Sequence, residues 1–383
     1  MNRGLMTPDP GLQGGVRITG DTTHACGEAA FSVREWLNAR ALSAQSRGCV
    51  RHDRYAGGHH FTLQPKPAAA WVPQCDTLAL PERLRIHPES SDTDLEIEIM
   101  VAMLMAPDAL EFPSFEEFES AVRVRCNTVR AARKAALAFD TEAIERPAEF
   151  WTYTETRGFT LRPGTDLVQA LRKATQPDDL AHAYAFSCYR ATEYVLLLAI
   201  AEEAARAHPQ LSAALNRQWE HRAIQSGEFH DVFLREYGSM DRPVPSRYYV
   251  PGDRVWFRNP DPNSADAPGY EGSWVIYLGS GQFNNFWKTN AHFSFDSKCV
   301  EVYHWRHGAW KDAEGRVRID EDEVERRVRA TLADSDELAR VLGKMQRPRD
   351  PRGVYDQGGC IDRTREFVLH LREGSNQIRL PEH

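Results

Sequence analysis

AYAFSCYRATEYVLLLAIA, residues 183–201, decides the fold. From Tyr194 to Ala201 every residue is apolar or aromatic. A run this long without a polar break reads as a helix buried on all sides. The pattern predicts that it continues to about Ala207 and stops before Pro209. Cys188 stands at its mouth. A thiol in the first turn of a helix lies at the positive end of the peptide dipoles, a field that favours the nucleophilic thiolate. The free N–H groups of the same turn are placed to stabilise an oxyanion. The competing reading is a small hydrophobe used for packing.

Upstream, Ser114 and Glu117 form a capping box. Phe115, Phe118, Val122, Cys126, Val129, Ala132 and Ala136 then recur at spacings of three and four, an amphipathic helix to about Phe139. Trp151, Tyr153, Phe159 and Leu161 flank Arg157-Gly158 as a hairpin. Further helices are expected over 92–106, 165–174, 210–224, 320–342 and 362–372. Downstream of the Cys188 helix the chain turns strand-like, at 247–259, 273–278, 282–288, 291–296 and 299–305. A thiol-bearing helix followed by an antiparallel sheet with polar residues is the order of a papain-like α+β core. The division expected is an irregular, partly disordered extension over 1–90, a catalytic domain over 91–310 and a helical C-terminal extension over 311–383.

Composition excludes several classes. The formal net charge is −8 and the basic residues are scattered, so nothing draws the chain to nucleic acid or anionic lipid. The apolar run at 194–201 is too short to span a bilayer. The N-terminus has no apolar segment of the secretory type, and cytoplasmic folding is expected, with export by a signal-less route open. Seven cysteines without a CxxC pair argue against zinc and against a full disulfide framework. His52, Asp53, His59 and His60 have ligand chemistry but no pattern that places them on one face, so no metal site is expected from them.

Three stretches carry a resemblance. They are the helix FESAVRVRCNTVRAARKAAL (118–137) with the hairpin after it, the 183–201 segment, and Tyr249–Gly279 with Gly252-Asp253, Phe257-Arg258-Asn259-Pro260 and Gly272-Ser-Trp-Val-Ile-Tyr-Leu-Gly279. In this order and spacing, residues 115–290 resemble the sporulation-type bacterial protein-glutamine γ-glutamyltransferases, or transglutaminases. The resemblance implies that Cys188 attacks a glutamine carboxamide of a protein or peptide and forms a thioester. A lysine or small amine then accepts the acyl group in an isopeptide bond, without cofactor.

The partners of the nucleophile depart from the family's pattern. The glutamate expected after the strand-opening glycine is Ser273, a histidine near the next hairpin is replaced by Phe286, and the glutamate before the cysteine is Ser187. A rebuilt site needs a base and a group that orients it. If 291–296 is a strand, His292, Ser294 and Asp296 share one face, and His292 serves as base. Asp296 and Glu301 are candidate orienting acids, Glu271 an alternate acid, and His304 an alternate base. Trp274, Phe286 and Trp287 are candidates for a substrate groove. Cys360, after Gly358-Gly359, is a rival nucleophile. Two other functions stay open: a glutamine deamidase or amidase effector using the same cysteine, and an inactive binding protein on the same fold. Substrate identity and oligomeric state are not legible.

Overall fold

The computed structural model describes residues 14–19, 23–40, 42, 50–55, 58–140, 145–179, 182–224, 226–288, 291–350 and 358–381. The chain divides into two units. One comprises 1–123 with 247–250, and the other 124–246 with 251–383. Helices and strands are mixed in both, an α+β architecture.

In the first unit the elements are β1 (Val16–Ile18), α1 (Thr23–Ala39), β2 (Val50–Tyr55), β3 (Gly58–Leu63), α2 (Pro65–Trp71), α3 (Leu80–Leu84), α4 (Asp92–Leu104), β4 (Leu110–Phe112) and the start of α5 (Phe115–Lys134). Its sheet has the order β2-β3-β1-β4, with β1 antiparallel to β3 and parallel to β4. Val16, Ile18 and Phe61 are fully buried. Where an irregular extension is expected over 1–90, the described residues hold β1 to β3 and α1 to α3. β3 pairs antiparallel with β2 and buries Gly58, His60, Phe61 and Leu63, but the histidines and arginines of the two strands disguise the pattern in sequence. His60 is buried and pairs through Nε2 with the Gly14 carbonyl. Among the described residues no group of three or more His, Cys, Asp or Glu side chains comes together as a metal site.

The second unit continues with β5 (Ala138–Phe139), β6 (Trp151–Thr154), β7 (Gly158–Leu161), α6 (Leu167–Thr175), β8 (Ala185–Phe186), α7 (Cys188–Ala207), α8 (Pro209–His221), α9 (Ser226–Phe233), β9 (Leu234–Tyr237) and β10 (Arg254–Arg258). Then come α10 (Pro262–Ala265), β11 (Gly272–Gly279), β12 (Gln282–Phe283), β13 (Phe293–Ser294), α11 (Phe295–Gly308), β14 (Ala309–Lys311), β15 (Val317–Ile319), α12 (Glu321–Ala333), α13 (Ser335–Met345) and β16 (Arg365–Val368). A six-stranded sheet has the order β13-β12-β11-β10-β16-β9, with every neighbouring pair antiparallel. The apolar helix α7 packs against β11. Among the described residues no helix is long and apolar enough to cross a membrane.

Two expected elements change type and a third divides. Residues 299–305, read as a strand from their valines and aromatics, lie inside α11. Ser294 caps that helix by accepting the Ser297 N–H at 3.0 Å, and Asp296 sits in its first turn. Residues 362–372, read as a helix, hold β16, whose Arg365 and Glu366 are buried charges that hid the strand. The single helix expected over 320–342 is two, broken at Asp334, whose carboxylate caps α13.

Candidate active site

Ser187 is the N-cap of α7, and its hydroxyl accepts the Arg190 N–H at 3.3 Å. The residue that replaces the family's glutamate therefore starts the helix, and Cys188 is the first helical residue. Across from it, β11 opens at Gly272. A Cβ there would stand 2.0 Å from the Trp256 indole nitrogen, so only glycine lets β11 lie this close to β10. That approach sets the next two residues beside the sulfur. Ser273 lines the same cavity as Cys188, and the backbone N–H groups of Trp274 and Tyr189 hydrogen-bond the sulfur.

Two cations lie within electrostatic reach of Cys188, Lys298 and Arg254. Arg254 is buried between rings, with its guanidinium carbon 4.3 Å from the Tyr189 ring centroid and 4.0 Å from that of Trp274. Its Nη1 donates to Glu366 Oε2 at 2.8 Å and its Nε to Thr192 Oγ1 at 2.8 Å. Lys298 is buried on α11, its ammonium 3.6 Å over the Phe293 ring and 2.5 Å from Glu301 Oε2. Lys298, Glu301 and Trp305 fall at i, i+3 and i+7, one helical face, and all three line the cavity with Cys188.

The cavity has a volume of about 310 Å³. One wall is a chain of rings, Trp287, Phe139, Tyr270 and Trp305, with neighbouring centroids 5.2, 5.9 and 5.1 Å apart. A second part of the lining comes from β15 and α12, through Ile319, Glu321, Val324, Glu325 and Val328. Tyr270 donates to Glu321 at 2.6 Å, and Lys288 pairs with Glu325, so the two parts are tied together.

A helix start by itself favours an easily ionised sulfur. The balance goes the other way. Burial pushes the Cys188 thiol above the usual thiol range, and it outweighs the lowering by the Trp274 N–H, Lys298, the Tyr189 N–H and Arg254. The resting group at neutral pH is a thiol, and the chemistry needs a proton acceptor.

Of the residues singled out in the sequence, Cys188, Glu301 and Trp287 share the cavity. Trp274 contributes its backbone N–H, while its ring stacks on Trp256 with centroids 5.8 Å apart. His292 does not line the cavity. Its Nδ1 accepts the Asn285 N–H at 3.5 Å, and burial together with Arg133 lowers its pKa. Asp296, expected on a strand face with His292, is on α11 and accepts from Gln346 Nε2 at 2.5 Å. His304 is buried away from the cavity, against Thr331 Oγ1 at 2.8 Å and His307 Nδ1 at 2.9 Å. Glu271 is exposed, and Phe286 is buried outside the cavity. The sequence reading missed Lys298, Arg254, Tyr270, Trp305, Phe139 and the nearness of Ser273. The Lys298-x-x-Glu301 spacing would have signalled the ion pair had the segment been read as a helix.

A family model described as protein-glutamine gamma-glutamyltransferase matches residues 80–356, well over half of the chain. The chain belongs to this family. It is accordingly a transferase of acyl groups with a transglutaminase domain that includes Cys188 and the whole cavity described above. Among solved structures, a similar one is the transglutaminase from Geobacillus stearothermophilus without its C-terminal extension. It is 19% identical, the match covers 56% of this chain and 98% of that one, and the TM-score is 0.37. No curated protein matches the chain.

Proposed function

We propose that the chain is a protein-glutamine γ-glutamyltransferase whose nucleophile is Cys188 and whose acid–base partner is the Lys298–Glu301 pair on α11. The observation that carries this reading is the shared cavity. A sulfur held by two backbone N–H groups shares the cavity with an ion pair whose Lys298 is buried and whose Glu301 is half-buried. The order of a thiol-bearing helix and an antiparallel sheet is the papain-like one.

In the first half-reaction the donor carboxamide enters the cavity. Lys298 stabilises the sulfur as an anion while Glu301 takes its proton. The thiolate adds to the carboxamide carbon, and the Trp274 and Tyr189 N–H groups, released by the sulfur, face the developing oxyanion. Collapse breaks the C–N bond. Glu301 returns the proton to the leaving nitrogen, ammonia departs and an acyl thioester remains. In the second half-reaction a neutral primary amine adds to the thioester carbon and gives its proton to Glu301. The C–S bond breaks, Glu301 returns that proton to sulfur and the isopeptide is released. The ring wall of Trp287, Phe139, Tyr270 and Trp305 suits the alkyl stem of a lysine-like acceptor and excludes water that would hydrolyse the thioester. Lys298 is held as an ion-paired ammonium, which has no lone pair to compete as acceptor.

The test is incorporation of a fluorescent primary amine into a glutamine-rich protein, with ammonia release followed in parallel. Stoichiometric incorporation and ammonia, both absent in Cys188→Ala, support the reading. Ammonia without incorporation identifies a deamidase. Incorporation retained by Cys188→Ala removes the mechanism.

A further inference from the structure

Gly358-Gly359-Cys360 has no part in the chemistry above, yet the fold builds a site around it. A Cβ on Gly359 would stand 2.1 Å from the Arg347 carbonyl oxygen and 2.6 Å from that of Met345, so the segment is pressed against the end of α13. The Gly359 N–H donates to the Pro348 carbonyl at 3.1 Å, and the Cys360 N–H to the Met345 carbonyl at 2.9 Å. The Cys360 carbonyl accepts the Arg258 N–H of β10 at 2.8 Å. This bracing drives the Cys360 side chain onto α11, where its sulfur lies 3.6 Å from Cys299 Sγ. Both cysteines are fully buried, and 61 positions separate them in the chain. The Cys360 thiol also approaches the Met345 carbonyl at 3.2 Å.

Two thiols in van der Waals contact need only rotation about their Cα–Cβ bonds and a small approach to reach bonding distance, about 2.05 Å. We infer that Cys299 and Cys360 are a disulfide site, which staples α11 to the 358–361 segment when the chain meets a disulfide oxidant such as oxidised glutathione. The exchange balances. When a local opening exposes one sulfur, its thiolate attacks glutathione disulfide and releases one reduced glutathione. The second attacks the mixed disulfide, releases another, and forms the Cys299–Cys360 bond with loss of both thiol protons. Cys299 directly follows Lys298, and Glu301 lies half a turn on, so the staple braces the helix that carries the proposed acid–base pair. The pairing is independent of the role given to Cys188; only its bearing on Lys298 and Glu301 rests on that reading. Closing a loop of this length restricts the unfolded chain, so the oxidised protein is the more heat-resistant form.

The test uses full-length Cys188→Ala, which removes the cavity thiol from the exchange. The folded protein is equilibrated with mixtures of oxidised and reduced glutathione, alkylated and digested without reductant. The expected result is a disulfide-linked pair of peptides containing Cys299 and Cys360. A thermal midpoint several degrees higher in the oxidised than in the reduced form is also expected, and that difference disappears in Cys299→Ala and in Cys360→Ser. Recovery of both cysteines alkylated after unfolding, with no linked pair, overturns the site. A linked pair without a rise in the midpoint overturns the staple. Neither result depends on transferase activity, so failure here is distinguishable from failure of the proposed mechanism.

Discussion

Helices α7 and α11 meet at one cavity but are built in opposite ways. In α7 the segment Ala191–Ala201 is buried throughout, and function is confined to its first turn. In α11 burial falls on Phe295, Lys298, Cys299, Val302 and His304 alike, so charged, polar and apolar groups are all packed inside. One face of α11 carries Lys298, Glu301 and Trp305 to the cavity, while His304 is packed against Thr331 of α12. A helix enclosed on all sides, with Thr192 and Glu193 as its buried polar exceptions, holds a nucleophile in place, and a helix with several mixed buried faces distributes its partners. The first kind announces itself in sequence and the second does not.

The sharpest way to break this comparison is at α7. Cys188→Ala is expected to lower amine incorporation by at least about a thousandfold, as loss of a nucleophile does, with a circular-dichroism spectrum and thermal midpoint close to those of the parent. On the cavity face of α11, Glu301→Gln keeps the size of the side chain and removes the proton acceptor. A fall of about a hundredfold in kcat is expected, and retention of full kcat would return the role of base to another group.

The far face of α11 is tested by pH. Burial and the facing His307, with Arg327 and Arg306 nearby, hold His304 at a pKa of about 4 against the opposing charge of Glu337. Two imidazole nitrogens 2.9 Å apart share one proton between them, and a second proton there is repelled. The unfolded chain binds this proton more readily, so stability falls as pH drops from about 6.5 towards 4 and levels off below. The loss due to this residue is on the order of 2–3 kcal/mol, read by urea unfolding at several pH values. A variant His304→Gln with the same slope across that window would show that the loss arises at another group.

A finer comparison sets the two helices against each other at the sulfur. Because burial raises the Cys188 thiol, labelling by iodoacetamide should climb with pH and reach its midpoint above that of an ordinary thiol. Lys298 lowers that value, so Lys298→Met should move the midpoint further up and slow labelling at pH 8 by about tenfold. A midpoint near pH 6 in the parent would reverse the balance drawn here. The smallest effect is reserved for His292→Ala. Its ring does not line the cavity, and a change below about fivefold is expected, less than the loss of a general base would bring.

The legible parts of the fold share a property. The ends of α7, the periodic α5 and the hairpin of β6 and β7 are written in residues close in sequence: a cap, a spacing of three and four, a glycine turn. The misread parts also share one. In β16, Glu366 is tolerated because Arg254 of β10 neutralises it at 2.8 Å, and the two are 112 positions apart. In α11 the run Cys-Val-Glu-Val-Tyr-His-Trp has strand-like composition, and its helix is supported by contacts with α12, α13 and β10. The candidate site divides in the same way. Cys188 was visible because its signal is a helix start, and Glu301 was named for its charge while its place was assigned to a strand. Lys298 and Arg254 were passed over.

By itself the sequence determined that a buried helix begins at Ser187-Cys188, that a strand opening on Gly272 follows, and that the chain has the motifs of a transglutaminase. Caps, periodicity and steric limits act over a few residues, so they survive in a linear reading. Tertiary structure alone decided which charges face the sulfur, that burial outweighs the helix dipole there, and that Cys360 meets Cys299. Those outcomes depend on desolvation and on packing between distant segments, and neither is encoded in any short stretch of the chain.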